Sequence, residues 1–99
     1  GRYRYAAKFM WRVYADALVE RVPTEDELRA LGSRFPSAEI QLHIDAGMRL
    51  SELKDQDSYS YEIAVIFLGG DSQKDLLQKY RAVQQALPLQ LAPLQQTSQ

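Results

Sequence analysis

Residues 2–13 alternate between bulky apolar side chains and basic ones. The apolar set occupies odd positions, Tyr3, Tyr5, Ala7, Phe9, Trp11 and Val13, and the cations occupy even positions, Arg2, Arg4, Lys8 and Arg12. Neighbouring side chains point to opposite faces of a strand, whereas a helix would scatter these aromatics around its circumference. The pattern predicts a strand with a buried aromatic face and an exposed cationic face. An unbroken strand to Leu18 would span about 50 Å, so we expect a bend near Ala15 to Ala17.

Two helices are predicted from their N-terminal capping signals. Thr24 followed by Glu27 forms a capping box behind Pro23, and the short helix that begins there has a possible C-cap at Gly32. Ser72 is a good N-cap for a second helix, which ends near Pro88. The apolar positions of the two helices recur at helical spacing: Leu28, Leu31 and Phe35 in the first, and Leu76, Leu77, Tyr80, Val83 and Leu87 in the second.

Two further strands are predicted between the helices. Residues 38–50 place apolar side chains at even positions, which indicates a half-buried strand with a bulge at Gly47. Residues 54–58 are turn-forming, and the strand Tyr59 to Leu68 then completes a long hairpin. In this third strand Ser60, Glu62, Ala64, Ile66 and Leu68 share one face, and Gly69-Gly70 is expected to break it. Leu89 to Leu91 add a short edge strand that Pro93 ends.

The predicted order is strand, helix, strand, strand, helix, strand, and it resembles the split βαβ pattern of ferredoxin-like sandwiches. We therefore expect an α+β fold in which both helices cover one face of an antiparallel sheet, with the first and third predicted strands in its centre. Residues 1–94 form the expected domain and 95–99 a frayed, Gln-rich tail. RNA-recognition modules, ACT regulatory domains and many subunit-assembly domains share this topology, so the fold alone does not set the function.

Composition excludes several kinds of chemistry. The 99 residues contain no cysteine and one histidine, and the net charge is −1. Disulfides, cysteine-bound metals and thiol nucleophiles are therefore excluded. We predict no catalytic residue, cofactor or metal ligand, and a protein that is not an enzyme. The chain begins with glycine, so we expect a domain excised from a larger protein, located in the cytoplasm or on the soluble face of a membrane protein.

Three local motifs have both a functional and a purely structural interpretation, and we favour the structural one in each case. Gly69 to Ser72 could cradle an anion at a helix N-terminus, but the Asp71 carboxylate would repel phosphate, so the motif indicates a turn and cap. His43 and Asp45 could together contact a metal but cannot fill its coordination shell, and a solvated histidine is the simpler prediction. Asp55 to Asp57 lack the glycine of a calcium loop and indicate a turn.

The predicted open side of the sheet is the main functional candidate. It combines cations with apolar side chains, and a half-apolar face favours covering by a second copy or by another part of the parent protein. We therefore expect a non-catalytic interaction or regulatory domain that acts by self-association or docking through this face and the hairpin. The predicted interaction residues are Arg2, Arg4, Lys8, Met10, Arg12, Tyr14, Ile66 and Leu68.

Three alternatives stay open beside this hypothesis. Residues 1–15 carry a formal charge of +4 and half of the ten aromatics, so they could bind an anionic surface, either single-stranded nucleic acid or anionic lipid headgroups. The chain lacks the basic, glycine-containing signature of RNA-recognition modules on its third predicted strand. A small-ligand sensor of the ACT type is a third hypothesis, which no effector-specific residue supports. The cations could also form an ordinary solvated face, paired with Glu39 and Glu62.

Overall fold

The computed structural model of this protein describes residues 3–53 and 60–94. The strands are β1 (Tyr5–Val13), β2 (Ala17–Arg21), β3 (Glu39–Leu42), β4 (Tyr61–Gly70) and β5 (Gln90–Pro93). The helices are α1 (Glu25–Arg34) and α2 (Gln73–Ala86), with a 3₁₀ turn at Leu50–Glu52. The predicted turn at 54–58, the predicted tail at 95–99 and Arg2 lie outside the described residues.

The strands form two antiparallel sheets. β4 lies between β1 and β3 in a three-stranded sheet, and β2 pairs with β5 in a two-stranded one. An α+β fold with two helices and antiparallel pairing is thus confirmed. The prediction that the first strand is central is wrong for β1, which is an edge of its sheet because β5 pairs with β2 instead.

The predicted bend in the opening segment separates β1 from β2. The Asp16 carboxylate holds it: Oδ1 accepts hydrogen bonds from the backbone N–H of Ala17 at 2.9 Å and of Ser51 at 3.0 Å, and Oδ2 lies 3.4 Å from the Arg49 guanidinium. Because backbone donors at a chain reversal need acceptors, this carboxylate stabilises both the bend and the segment at Ser51 that packs against it.

The second predicted strand is much shorter than expected. β3 ends at Leu42, and the last ladder bond runs from the His43 N–H to the Ile63 carbonyl at 2.9 Å. The chain then turns toward β2, where the Gly47 N–H donates to Val19 O and the Val19 N–H donates to Met48 O. Gly47 adopts a φ of 92°, which favours glycine. The predicted long hairpin is therefore wrong, because the apolar residues after Leu42 pack against β2 rather than continuing beside β4.

The faces of β4 are the reverse of those predicted. Phe9 pairs with Ile66 and Lys8 with Phe67, so Ile66 lies on the aromatic side of β1. Ile66 and Leu68 are buried against both helices, in a cluster with Leu31, Leu76, Val83 and Leu87. Their predicted place on an open face is wrong. The register also shifts between Trp11 and Arg12, which changes the side that Glu62 faces.

The helices begin as predicted. Thr24 Oγ1 accepts from the Glu27 N–H at 3.1 Å while the Glu27 carboxylate accepts from the Thr24 N–H at 2.9 Å, and Ser72 caps α2 through the Asp75 N–H. Two details differ from expectation: α1 continues past Gly32 to Arg34, and β4 continues through Gly69 and Gly70, which pair with β1.

A second core cluster lies between the two sheets. It contains Ala17, Val19, Ile44, Leu50, Ile63 and Ala64. Trp11 is half-buried and packs against both this cluster and the helix-covered one. The predicted inward aromatic face of β1 is confirmed for Phe9 and Trp11, whereas Tyr3 and Tyr5 are exposed.

Candidate interaction face

The side of the three-stranded sheet that faces away from the helices is built from three rows of side chains. Antiparallel pairing places Lys8, Phe67 and Glu39 in the first row and Met10, Val65 and Gln41 in the second. Arg12, Glu62 and His43 form the third, joined by side-chain contacts. We call these nine residues the open face. Each row thus has a residue of β1 at one end, a residue of β4 in the middle, and a residue of or just after β3 at the other.

The middle of the open face is apolar. Val65 is buried and Phe67 half-buried, yet neither belongs to the two core clusters. Met10 stands beside them with 48% of its surface exposed. A strand that is apolar on both faces needs cover on both. The helices supply that cover on one face of β4, and flanking side chains supply part of it on the other.

The third row is neutralised within the chain. The Glu62 carboxylate lies 3.4 Å from the Arg12 guanidinium and 2.9 Å from His43 Nε2. Arg12 also donates to the hydroxyl of the buried Ser60 at 3.1 Å. These contacts tie Arg12 to the sheet, so its charge is less available to an outside partner than that of an extended surface arginine.

The first row keeps charges of both signs. Lys8 and Glu39 are exposed, and no ion pair within residues 3–53 and 60–94 involves either of them. Glu39 accepts one hydrogen bond, from the Gln41 side chain at 3.3 Å. A shallow groove of about 560 Å³ runs between these two charges, lined also by Tyr3, Ser37 and Phe67. This end of the open face can receive an apolar group together with charges of either sign.

The predicted interaction residues within the described ranges divide into three sets. Lys8 and Met10 lie exposed on the open face, and Arg12 lies there half-buried. Arg4 and Tyr14 are exposed but flank β1, and Tyr14 retains 75% of its surface. Ile66 and Leu68 belong to the core instead, as described above. The face residues that the sequence-based prediction omitted are Glu39, Gln41, His43, Glu62, Val65 and Phe67, because only the strand register identifies them.

Three carboxylates of the described residues have lowered pKa values, and each accepts hydrogen bonds from the backbone. Partial desolvation raises the pKa of Asp16, but the hydrogen bonds from Ser51 and Ala17 and the Arg49 charge lower it overall. The Thr24 N–H and then Arg21 lower the pKa of Glu27, and the Asp71 N–H and then Lys79 lower that of Asp75. All three bind backbone donors at turns or helix ends, which is a structural role.

The remaining motifs form local structure. The Gly69 to Ser72 segment ends β4 and caps α2, where the Asp71 N–H donates to the Asp75 carboxylate at 2.9 Å. His43 contacts Glu62 rather than Asp45. Among the described residues, no group of three or more His, Asp or Glu side chains could hold a metal ion. Neither helix in the described ranges is long and apolar enough to cross a membrane.

Comparison with models of protein families, with curated proteins and with solved structures finds no match for this chain. The function is therefore inferred from the open face itself.

Proposed function

We propose that this chain is a non-catalytic interaction domain that binds another protein surface through the open face, either a second copy or another part of a parent protein. The observation that supports this most strongly is the exposure of Met10 beside the apolar middle of the face, next to a row whose two charges are unpaired within the described residues. Burying apolar surface of this kind against a partner is favourable, and the flanking charges give the contact its orientation.

We also propose the finer topology of a ferredoxin-like sandwich. If β1 and β2 are taken as two halves of one strand broken at Asp16, the sheet has four strands. Their order is β5, then the combined β1 and β2 strand, then β4, then β3. That is the strand order of the split βαβ pattern. Shared packing of α1 and α2 against Ile66 and Leu68 supports it, since both helices then lie on one face.

Footprinting tests the interaction face. Hydroxyl radicals oxidise exposed methionine, and Met10 is exposed while Met48 is half-buried near β2 and serves as an internal reference. We expect the oxidation rate of Met10 to fall, relative to Met48, as protein concentration rises from about 1 μM to about 1 mM. The same protection is expected in any longer form of the protein in which the face is docked. A Met10 rate that stays constant under all these conditions overturns the proposal.

A second candidate function is binding of an anionic surface by the start of β1. Tyr3 and Tyr5 are 37% and 47% exposed and lie near Arg4 and Lys8, an arrangement that suits base stacking or lipid headgroups. The Glu39 carboxylate across the groove opposes it. The test is binding to a single-stranded oligonucleotide and to anionic vesicles in a salt titration. Salt-sensitive binding that Arg4→Glu weakens supports this candidate, and its absence removes it.

A further inference from the structure

We propose that the partner of the open face is a second copy of this chain, packed face to face about a two-fold axis that runs along β4. In this arrangement Lys8 of each copy lies opposite Glu39 of the other. The inference rests on the proposed function and adds to it the identity of the partner and the orientation of the pair.

The order of the strands makes the face complementary to itself. A two-fold rotation about an axis that lies in the interface parallel to β4 exchanges the β1 side and the β3 side of the sheet. It leaves the position of each residue along the strand direction unchanged. It therefore places β1 of one copy over β3 of the other, within the same row. Because the cation Lys8 and the anion Glu39 occupy the two ends of one row, the rotation brings opposite charges together twice.

The packing distance suits these contacts. Stacked sheets lie about 10 Å apart, a gap that a lysine and a glutamate side chain can bridge together from opposite sides. Met10 of each copy faces Gln41 of the other, and Val65 and Phe67 lie near the axis, where apolar groups from both copies meet. The third row places Arg12 opposite His43, and the Glu62 carboxylate that contacts both within each copy offsets the cationic charge there.

A face-to-face pair about the perpendicular axis is disfavoured by charge. That axis lies in the interface and crosses the strands, so it places β1 over β1 and reverses the order of the rows. Lys8 would then face Arg12 of the other copy, which brings like charges together at both ends of β1. Juxtaposed like charges across an interface are costly, and Glu39 would face His43, whose ring already contacts Glu62 of its own copy.

The size of the face sets the expected strength. Three strands at about 4.8 Å spacing, over the five residues from Lys8 to Arg12, cover a patch about 14 Å wide and 17 Å long. This is smaller than the roughly 800 Å² that each partner contributes to a standard stable interface. We therefore expect a weak dimer in rapid exchange, in which the two charge contacts decide the pairing.

Exchange of the two charges tests the orientation. In the Lys8→Glu dimer a glutamate would face Glu39 at each of the two contacts. In the Glu39→Lys dimer a lysine would face Lys8 at each of them. We expect the dimerisation Kd of each variant alone to be higher than that of wild type by at least about tenfold. Mixed together, the two variants regain complementary contacts at both sites. The mixture should form a heterodimer at least as strong as the wild-type dimer, which native mass spectrometry resolves when one variant carries an isotope label.

Matched controls separate orientation from net charge and from folding. Lys74→Glu and Glu20→Lys make the same two charge changes at exposed positions on α2 and β2, away from the open face. Neither should alter dimerisation, and their mixture should show random pairing. Thermal unfolding of all four variants, at a concentration where the protein is monomeric, should match wild type. None of the four substituted side chains forms an ion pair with another described residue.

The outcomes also separate this inference from the proposed function. If wild type protects Met10 and dimerises, but the mixture pairs no better than each variant alone, the orientation is overturned and the interaction face stands. If both single variants dimerise as wild type does, the second copy does not lie on the open face, which also overturns the inference. Constant exposure of Met10 in every form of the protein removes the proposed function itself.

Discussion

Lys8 and Glu39 lie at opposite ends of one row across the sheet, each paired with Phe67 of the central strand. Two strand spacings separate their backbones by about 10 Å, and no ion pair joins the two side chains in the described part of the chain. The row therefore presents an ammonium, an aromatic ring and a carboxylate side by side. A surface of this kind would favour one orientation of a partner over others, which is why the proposed interaction is placed on this face rather than on the helices.

The stack between Phe9 and Tyr80 should be a main contact between β1 and α2. The two ring centroids lie 4.3 Å apart with the planes 10° from parallel. We expect Phe9→Ala to lower the free energy of unfolding by about 2–3 kcal/mol, since it removes a half-buried ring and its aromatic partner. Urea unfolding measures this. Tyr5→Ala on the exposed start of the same strand is the control, and an equal loss in both variants would contradict the assignment.

Tyr80 should ionise at a higher pH than an ordinary tyrosine side chain. Desolvation by burial raises its pKa above the ordinary value of 10.0, and a hydrogen bond with Gln84 opposes part of that rise. Because the folded pKa is the higher one, the contribution of Tyr80 to stability is present below pH 10 and is lost as the pH rises through the folded pKa. Absorbance titration of wild type and Tyr80→Phe checks this. A Tyr80→Phe curve that differs from that of wild type only below pH 10.0 would refute it.

Asp16 should stabilise the bend at neutral pH and lose that effect in acid. Its lowered pKa means that the stabilisation is complete above the ordinary aspartate value of 3.8 and is lost as the pH falls through the lower folded value. We expect Asp16→Ala to cost about 1–2 kcal/mol at pH 7, since two backbone donors lose their acceptor at a partly exposed site. The cost should shrink toward pH 2. Denaturant unfolding at several pH values measures both effects.

The control for Asp16 is Asp71→Asn, which removes the charge of an exposed carboxylate in the turn before α2. It should leave the free energy of unfolding at pH 7 almost unchanged, because no hydrogen bond or ion pair among the described residues involves the Asp71 side chain. An Asp16→Ala cost that is the same at pH 2 and pH 7 would show that the carboxylate acts through its shape rather than its charge.

Two adjacent glycines should respond differently to alanine. A Cβ at Gly70 would lie 2.8 Å from Asp75 Oδ2 and 3.1 Å from Leu76 Cδ2, at the base of α2. A Cβ at Gly69 would meet the Tyr3 ring at 2.5 Å, and that ring is 37% exposed and can move aside. We expect Gly70→Ala to cost about 1–3 kcal/mol and Gly69→Ala less than about 1 kcal/mol.

Thermal unfolding of the two variants ranks these costs. Tyr3→Ala in the Gly69→Ala background removes the obstructing ring and should add little further loss, since the two changes act on one contact. A larger cost at Gly69 than at Gly70 would mean that the Tyr3 ring is held rigidly.

The local features of this fold could be predicted because they depend on short-range physical chemistry. The alternation that ends at Val13, the capping box at Thr24 and the cap at Ser72 each reflect neighbours within four residues, and all three are present. The bend near Asp16 was also predictable, since a single strand over that length is unusual. The acceptor role of Asp16 was not predictable, because Ser51 is distant in sequence.

The composition of the open face could not be predicted, because it depends on register. Ile66 and Glu62 share a face if the strand is regular, but the shift in pairing between Trp11 and Arg12 separates them. The alternation after Leu42 was equally ambiguous. Ile44 and Leu50 have the spacing of a half-buried strand, and they are buried, but against β2 across the second core cluster. The sequence pattern indicates which residues are buried, whereas the partner strand depends on contacts between distant segments.

The proposed self-association is tested most directly by the solution mass of wild type and Met10→Glu across a concentration series, measured by light scattering or sedimentation equilibrium. Met10→Glu places a charge in the apolar middle of the open face, and Leu77→Glu makes a matched change at an exposed leucine of α2. Self-association through the open face predicts that the masses of wild type and Leu77→Glu rise above the 11.3 kDa monomer as concentration approaches about 1 mM, while Met10→Glu stays monomeric. A wild-type mass that remains at the monomer value, or a Met10→Glu mass that rises equally, would contradict it.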